Sequence, residues 1–366
     1  HIGRSPFGTE ISRKTQALRE IYATVFHTYT YPIYANRQRP ARETCEKCHQ
    51  PEAFSGNKLL TINHFLPDQS NTALNIYLIM KTGGGTKNQG LGQGIHWHII
   101  NKVEYYTADP LSQTIPFVRV YNDDGTTTDY VDTESNIDPA TIDQSKLKEV
   151  DCITCHNRVT HDFALPSDSV DSAMSRGLIS PEIPEIRKKG VEVLTTPYES
   201  QEAAMNGIAG LENYYAQYYI AFYANNKDLI KSAITKLQGI YNQTVFLDQK
   251  VDWTIHPNNL GHINSAGCFR CHDGKHLNSQ KQAIRLECNL CHSIPVVATS
   301  QDFVTKIEIS RGPEPESHFN PNWISLHHDA FDGTCSNCHT TTDAGGTSNT
   351  SFCSNSACHG TEFKST

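Results

Sequence analysis

Residues 268–292 read CFRCHDGKHLNSQKQAIRLECNLCH, and the rest of the chain is organised by what this stretch contains. It holds the unit Cys-x-x-Cys-His twice, as Cys268/Cys271/His272 and Cys288/Cys291/His292. Three more copies lie elsewhere: Cys45/Cys48/His49, Cys152/Cys155/His156 and Cys335/Cys338/His339. A sixth pair, Cys353/Cys358/His359, has four intervening residues instead of two. Together they use all 12 cysteines. Cys-x-x-Cys-His is the attachment pattern of c-type haem. Two thiols add to the two vinyl groups of one porphyrin, and the following His supplies an axial ligand to iron. Six covalently attached haems c are therefore expected as cofactors.

Two plainer readings compete. An even cysteine count in an exported chain often means disulfides, but disulfide cysteines have no reason to be followed by His at every pair. Cys268/Cys271 with Cys288/Cys291 also match a zinc-ribbon spacing. A four-thiolate zinc site leaves the His after each pair without a purpose, and the same unit recurs far from any ribbon.

The chain of 366 residues is 37% hydrophobic with a formal net charge of −8, and its mean hydropathy is −0.50. Its own apolar core is modest on these figures. Six porphyrins would add apolar area, so the haem-free chain is expected not to fold stably. No basic cluster is present to neutralise phosphates, which argues against a nucleic-acid partner. The longest compact apolar run, residues 74–80, is too short for a transmembrane helix. No signal peptide is visible. Covalent haem is attached after export, so a periplasmic or extracellular location, including the cell surface, is expected.

An α+β fold is expected: a haem-organised core with short helices, a small antiparallel β region at about 72–132 and much irregular structure. Ile11, Leu18, Ile21, Tyr22 and Val25 share one face of a helix over 10–28, with Thr9 or Ser12 as its cap. The segment GIHWHIINKVEYY (94–106) alternates as a strand, which would point His96 and His98 to one face. PFVRVYNDDGTTTDYV (116–131) reads as strand, Asp-Gly turn and strand. The glycine-rich 82–94 fits no phosphate-binding fingerprint and is read as a loop. Residues 183–194 and 199–241 read as helices, the second carrying an aromatic cluster at Tyr214, Tyr215, Tyr218, Tyr219, Phe222 and Tyr223. Core packing is the first reading of that cluster, and a role beside the haems the second. Three units are expected: 1–150, an N-terminal haem domain with a β insertion; 151–300, a helical unit with three haem motifs; and 301–366, a C-terminal dihaem module. The close spacing of the third and fourth motifs, and of the last two, predicts two tight haem pairs. The long intervals after Cys45 and after Cys152 predict more distant attachment points.

Six of the 18 histidines belong to motifs, which leaves enough for a second axial ligand on every iron. With 3 methionines, Met ligation is at most a minority option. The favoured distal ligands are His64, His98, His161, His262, His276, His318 and His327. His161 and His276 lie too close to their own motif to reach across its ring, so each is expected to serve a neighbouring haem. Filling both axial positions leaves no coordination site for substrate. That favours outer-sphere electron transfer over catalysis.

RPARETCEKCHQPEAFSG (39–56), GIHWHI (94–99), DCITCHNRVTHDF (151–163), HPNNLGHINSAGCFRCHDGKH (256–276) and CNLCHSIP (288–295) resemble the large multihaem members of the NapC/NirT cytochrome family. The resemblance covers about 40–295. The tail, with WISLHHDAFDGTCSNCH (323–339) and SFCSNSACHGTEF (351–363), is similar to small multihaem modules of cytochrome c3 type. The family implies electron transfer, often between membrane quinol and periplasmic partners. Members usually carry an N-terminal membrane helix and further motifs upstream, which this chain lacks. In relatives "HIG" often follows a Cys-x-x-Cys pair, so His1-Ile2-Gly3 matches what would remain of such a motif. The expected function is electron transfer by a soluble or assembling conduit. Its partners would be other redox proteins or further copies of itself, stacked as an extracellular cytochrome filament (a nanowire) in which His1 ligates iron of the next subunit. The alternative is a multihaem reductase with one open-site haem. No Cys-x-x-Cys-Lys motif and no shortage of His point that way, so no catalytic residue is expected.

Overall fold

The Asp-Gly turn at 122–126 sets the largest sheet. In this computed structural model, which describes residues 7–29, 31–32, 42–49, 57–84, 94–159, 163–285, 290–293 and 295–299, Gly125 takes a φ of +82° between strands β4 (Phe117–Tyr121) and β5 (Thr127–Asp132). Its N–H donates to Asn122 O at 3.0 Å, and Asp124 Oδ1 accepts from the Thr126 backbone at 2.9 Å. A residue with a side chain pays to adopt this left-handed conformation. The pairing runs from Phe117 opposite Val131 to Tyr121 opposite Thr127, as the alternation predicted.

The sheet is antiparallel throughout, in the order β6 (Lys148–Glu149), β3 (Val103–Tyr106), β4, β5, β7 (His276–Leu277). A second antiparallel sheet joins β1 (Asn57–Phe65), β2 (Ala73–Lys81) and β8 (Val296–Thr299). Both sheets cross the expected division at 150, since β7 and β8 come from beyond it. Each therefore pins a segment next to a haem motif, β7 after His272 and β8 after His292.

Between the sheets' strands in sequence lies a helical array: α5 (Pro166–Ser175), α6 (Ile186–Thr195), α7 (Gln201–Ala209), α8 (Leu211–Tyr218), α9 (Ile220–Asn225) and α10 (Lys227–Thr244). Along α10, Ile230, Ala233, Ile234, Leu237, Ile240, Tyr241 and Thr244 are buried, a stripe at helical spacing. They pack with Val170, Ile186, Leu194, Ile208 and Tyr215 into one contiguous core. The single helical stretch expected over 199–241 is thus four helices. The chain breaks at Gly210, at Tyr219 (φ −129°, ψ 49°) and at Asn226 (φ −133°, ψ 33°).

The aromatic cluster belongs to this core except for Tyr218, which is exposed. Tyr215 is fully buried and donates to Pro184 O at 2.9 Å, and Tyr214 and Tyr219 donate to Glu185 at 2.7 and 3.0 Å. A smaller core of Val103, Tyr105, Ile115 and Val118 lies on the five-stranded sheet, and Cys271 packs against it. The helix expected at 10–28 is present as α1 (Phe7–Val25), with Leu18, Ile21, Tyr22 and Val25 exposed.

Residues 94–106 depart from the strand reading. Only Val103–Tyr106 is extended, and Trp97–Ile100 form one helical turn, α3, with His96 at its N-cap. Alternation over so short a run does not separate strand from helix. Two residues along a helix are about 200° apart, so His96 and His98 diverge instead of sharing a face. The module expected at 301–366 lies outside the described residues.

Candidate haem-binding centre

Three described motifs fold into the same local turn. The N–H of His49, His156 and His272 donates to the carbonyl of the first cysteine of its own motif, at 2.8, 2.7 and 3.1 Å. The first turn follows the short helix α2 (Arg42–Cys45), the second is the short helix α4 (Cys152–Cys155), and the third is a 3₁₀ turn at Gly267–Arg270. Sequence explains each local choice. In α4, Asp151 Oδ1 accepts from Thr154 N at 3.1 Å and Thr154 Oγ1 accepts from Asp151 N at 3.0 Å, a reciprocal cap. In the third, Gly267 has a φ of +48°, and a Cβ there would overlap the Gly261 carbonyl.

The cysteines Cys45, Cys48, Cys152, Cys155, Cys268, Cys271 and Cys291 form no disulfide. Burial pushes the Cys155 thiol up to about 11 and Cys271 to about 12, and it raises Cys152 and Cys268 as well. Among the described residues no group of three or more His, Cys, Asp or Glu is arranged to hold a metal ion directly.

The histidines supply the decisive geometry. His98 on α3 and His272 of the third motif, 174 residues apart, bring their Nε2 atoms within 3.4 Å, with ring centroids 5.7 Å apart and planes at 89°. Nδ1 of His98 lies 3.0 Å from Ile95 O, and Nδ1 of His272 lies 2.6 Å from Arg285 O. A carbonyl only accepts, so both Nδ1 atoms carry hydrogen. Burial lowers the pKa of both rings, that of His272 to about 4, which favours their neutral forms. Each Nε2 therefore presents a lone pair to the other. Two lone pairs at this distance repel unless an electron-pair acceptor lies between them. A transition-metal ion held by two imidazoles at about 2 Å each needs a span of about 4 Å, which a small ring movement provides. The N–H of each ring on a carbonyl is also the usual outer support of a metal-ligating His. The residues present fit an iron porphyrin.

A second pair is similar. His262 and His292 have ring centroids 6.1 Å apart with planes at 16°, and Phe269 stacks on His262 at 4.5 Å. His262 Nδ1 is buried without a hydrogen-bond partner, while His292 Nδ1 lies 2.6 Å from Ser293 O. His96 hydrogen-bonds Thr82 O through Nδ1 at 2.7 Å. Burial lowers the pKa of His156, and the nearby His96 and His49 lower it further, which groups these three rings. His64 on β1 has Nδ1 2.8 Å from Asp171 Oδ2, and Asp171 is paired with Arg187 at 3.1 Å. That arrangement leaves the Nε2 of His64 facing away from the carboxylate.

His276 is held from both sides: its Nδ1 lies 2.9 Å from Asp273 Oδ1 and its Nε2 lies 2.6 Å from Ile115 O, contacts that favour the doubly protonated ring over an iron ligand. Burial opposes the charge, but the Asp273 carboxylate and the Ile115 carbonyl outweigh it and raise the pKa. His276 instead ties the third motif to the five-stranded sheet. His1, His161, His318, His327, His339, His359, Cys288, Cys335, Cys338, Cys353 and Cys358 lie outside the described residues.

The attachment points are also closer than their sequence separation suggested. Arg42, at the start of the first turn, pairs with Glu149 at 3.2 Å, just before the second, and donates to Ile99 O of α3 at 2.6 Å. Arg270, inside the third motif, donates to Thr154 O inside the second at 2.9 Å. The long intervening segments fold as sheet and helices to one side and return the chain to its starting place.

This chain is similar to a c-type cytochrome. It is 35% identical over 328 residues to the cytochrome c-type protein ImcH of Geobacter sulfurreducens, an alignment covering 87% of this chain and 64% of that protein. The chain thus spans a little under two thirds of that relative's length. No family model matches the chain, and no solved structure matches it. The similarity supports a multihaem c-type cytochrome with covalently bound haem c. Among the histidines, His96 is the one that the sequence left out of the favoured set and the structure brings to a motif His. Its cue, a His two residues before another favoured His, was read as strand alternation.

Proposed function

We propose that this protein transfers electrons through six covalently attached haems c whose irons are held between pairs of imidazoles. The facing Nε2 atoms of His98 and His272, 3.4 Å apart with both Nδ1 atoms on carbonyls, carry the reading, since two nitrogens aimed at each other are suited to share one metal ion. The cysteine pairs hold the porphyrin edges, and the motif histidines His49, His156, His272, His292, His339 and His359 take one axial position each. Opposite them, His98 serves the third motif, His262 the fourth and His96 the second. His64, oriented by Asp171, and His161, His318 and His327 are four candidates for the three irons that remain.

A bound haem supplies reversible one-electron exchange between ferric and ferrous iron. The chain's own contribution is to hold the rings, exclude water with the core around Cys271, and keep successive attachment turns in contact through Arg42 and Arg270. With both axial positions filled, the protein is a carrier and not an enzyme. On this reading it belongs with NapC/NirT-type cytochromes, works in the periplasm or outside the cell, and exchanges electrons with redox proteins or with copies of itself in a filament. Among the described residues no helix is long and apolar enough to cross a membrane.

Intact mass and the pyridine haemochrome spectrum of protein from a maturation-competent host test the reading. The expected result is the added mass of six tetrapyrroles, with only low-spin ferric signals in electron paramagnetic resonance. A colourless product of unmodified mass overturns it. A high-spin signal that moves with nitrite or cyanide replaces it with the reductase.

A further inference from the structure

The third motif carries an arginine between its cysteines, and the structure buries it. The guanidinium of Arg270 donates to carbonyls of three separate segments: Gly267 at 2.8 Å, Ser112 at 2.9 Å and Thr154 at 2.9 Å. Thr154 lies between the cysteines of the second motif, so one side chain spans two attachment turns. Buried Asn259 reinforces the link, donating to the same Thr154 carbonyl at 3.0 Å while its Oδ1 accepts from Gln113 at 2.9 Å. All three acceptors of Arg270 are neutral. A guanidinium stays protonated in a protein, so the junction of the two turns holds a buried positive charge satisfied only by dipoles. Burying a charge without a counter-ion is costly, and a neutral side chain would serve simple packing better. The field of this charge opposes the burial-driven rise of Cys155, Cys268 and Cys271, against Asp151 near Cys155 and Asp273 near Cys271, so it reaches both turns.

We propose that Arg270 is a positioning residue for electron exchange, fixing the separation of the second and third haems and holding both irons at higher reduction potentials than they have without it. The inference rests on the haem reading above. Two parts of the side chain do separate work. The planar fork, with donors in three directions, locks the turns together. The charge favours the ferrous state, because reduction removes one positive charge from each neighbouring iron, and in a dry site that interaction is weakly screened.

The test uses holoprotein carrying Arg270→Gln or Arg270→Lys, with haem content measured first. Redox titration of Arg270→Gln is expected to shift two potentials downward and leave the others in place. Arg270→Lys retains the charge and returns those two potentials towards the parent values. An ammonium cannot reach three carbonyls in fixed directions, so the magnetic coupling between the two haems is expected to change in the Lys variant. Unchanged potentials in Arg270→Gln with full haem content overturn the inference and leave the haem reading standing. A parent protein without haem overturns the reading itself. If Arg270→Gln does not accumulate, Arg270→Lys decides alone: altered coupling at preserved potentials supports the inference, and parent-like coupling overturns it.

Discussion

At Glu185 three donors converge on one carboxylate: the Tyr214 hydroxyl at 2.7 Å, the Tyr219 hydroxyl at 3.0 Å and the Lys188 ammonium at 3.6 Å. The two tyrosines, chiefly Tyr214, hold its pKa below the ordinary carboxylate value against the effect of burial. A depressed acid stabilises the fold above its unfolded pKa, and that contribution is lost as pH falls through the folded value. Glu185→Gln is therefore expected to cost roughly 1 kcal/mol at neutral pH. The gap from the parent should close as pH drops through the carboxylate range, read as urea midpoints across pH; a gap that persists in acid contradicts the assignment. Gly267 makes a different residue-level case, since its positive φ and its approach to the Gly261 carbonyl leave no room for a Cβ. Gly267→Ala should accumulate with one haem fewer than the parent by intact mass, because the turn bearing Cys268 and Cys271 is displaced. Full haem content in that variant contradicts this account of the turn.

Among the elements, α10 is the keel of the helical array, and its buried stripe packs with residues of α5, α6, α7 and α8. Leu237→Ala removes a fully buried side chain and is expected to cost about 2–5 kcal/mol, measured by denaturant unfolding. Because this core is built of protein side chains alone, it bears on the expectation that the haem-free chain does not fold stably. With every motif cysteine changed to Ala, the helical array should persist and give a helical circular dichroism spectrum, while the sheet region around Cys271 loses protection from hydrogen exchange. A spectrum without helix contradicts the independence of this core. These elements were partly legible in the sequence. The β4–β5 hairpin was, because Asp-Gly between two alternating runs is a local signal. The stripe of α10 was as well. The division of 199–241 was not, because it depends on where Gly210, Tyr219 and Asn226 turn the chain, and α3 was mistaken for strand because its helical stretch is one turn long.

For the whole molecule, the attachment cysteines were legible one by one, and the way they assemble was not. Nothing local to Cys45, Cys152 or Cys268 says that their turns meet; that follows from two sheets that recruit β7 and β8 from far along the chain. The pairing of axial histidines is hidden for the same reason. His276, four residues after His272, lies between Asp273 and the Ile115 carbonyl, whereas His98 meets His272 across 174 residues. An iron shared by those two rings, as proposed, would also staple distant segments, so losing it should lower the unfolding midpoint as well as change the spectrum. The most direct measurement is the electron paramagnetic resonance spectrum of the ferric holoprotein with His98→Ala beside the parent. One low-spin signal replaced by a high-spin signal, at unchanged haem content, is the predicted result. A spectrum identical to the parent's would mean that His98 and His272 do not share an iron.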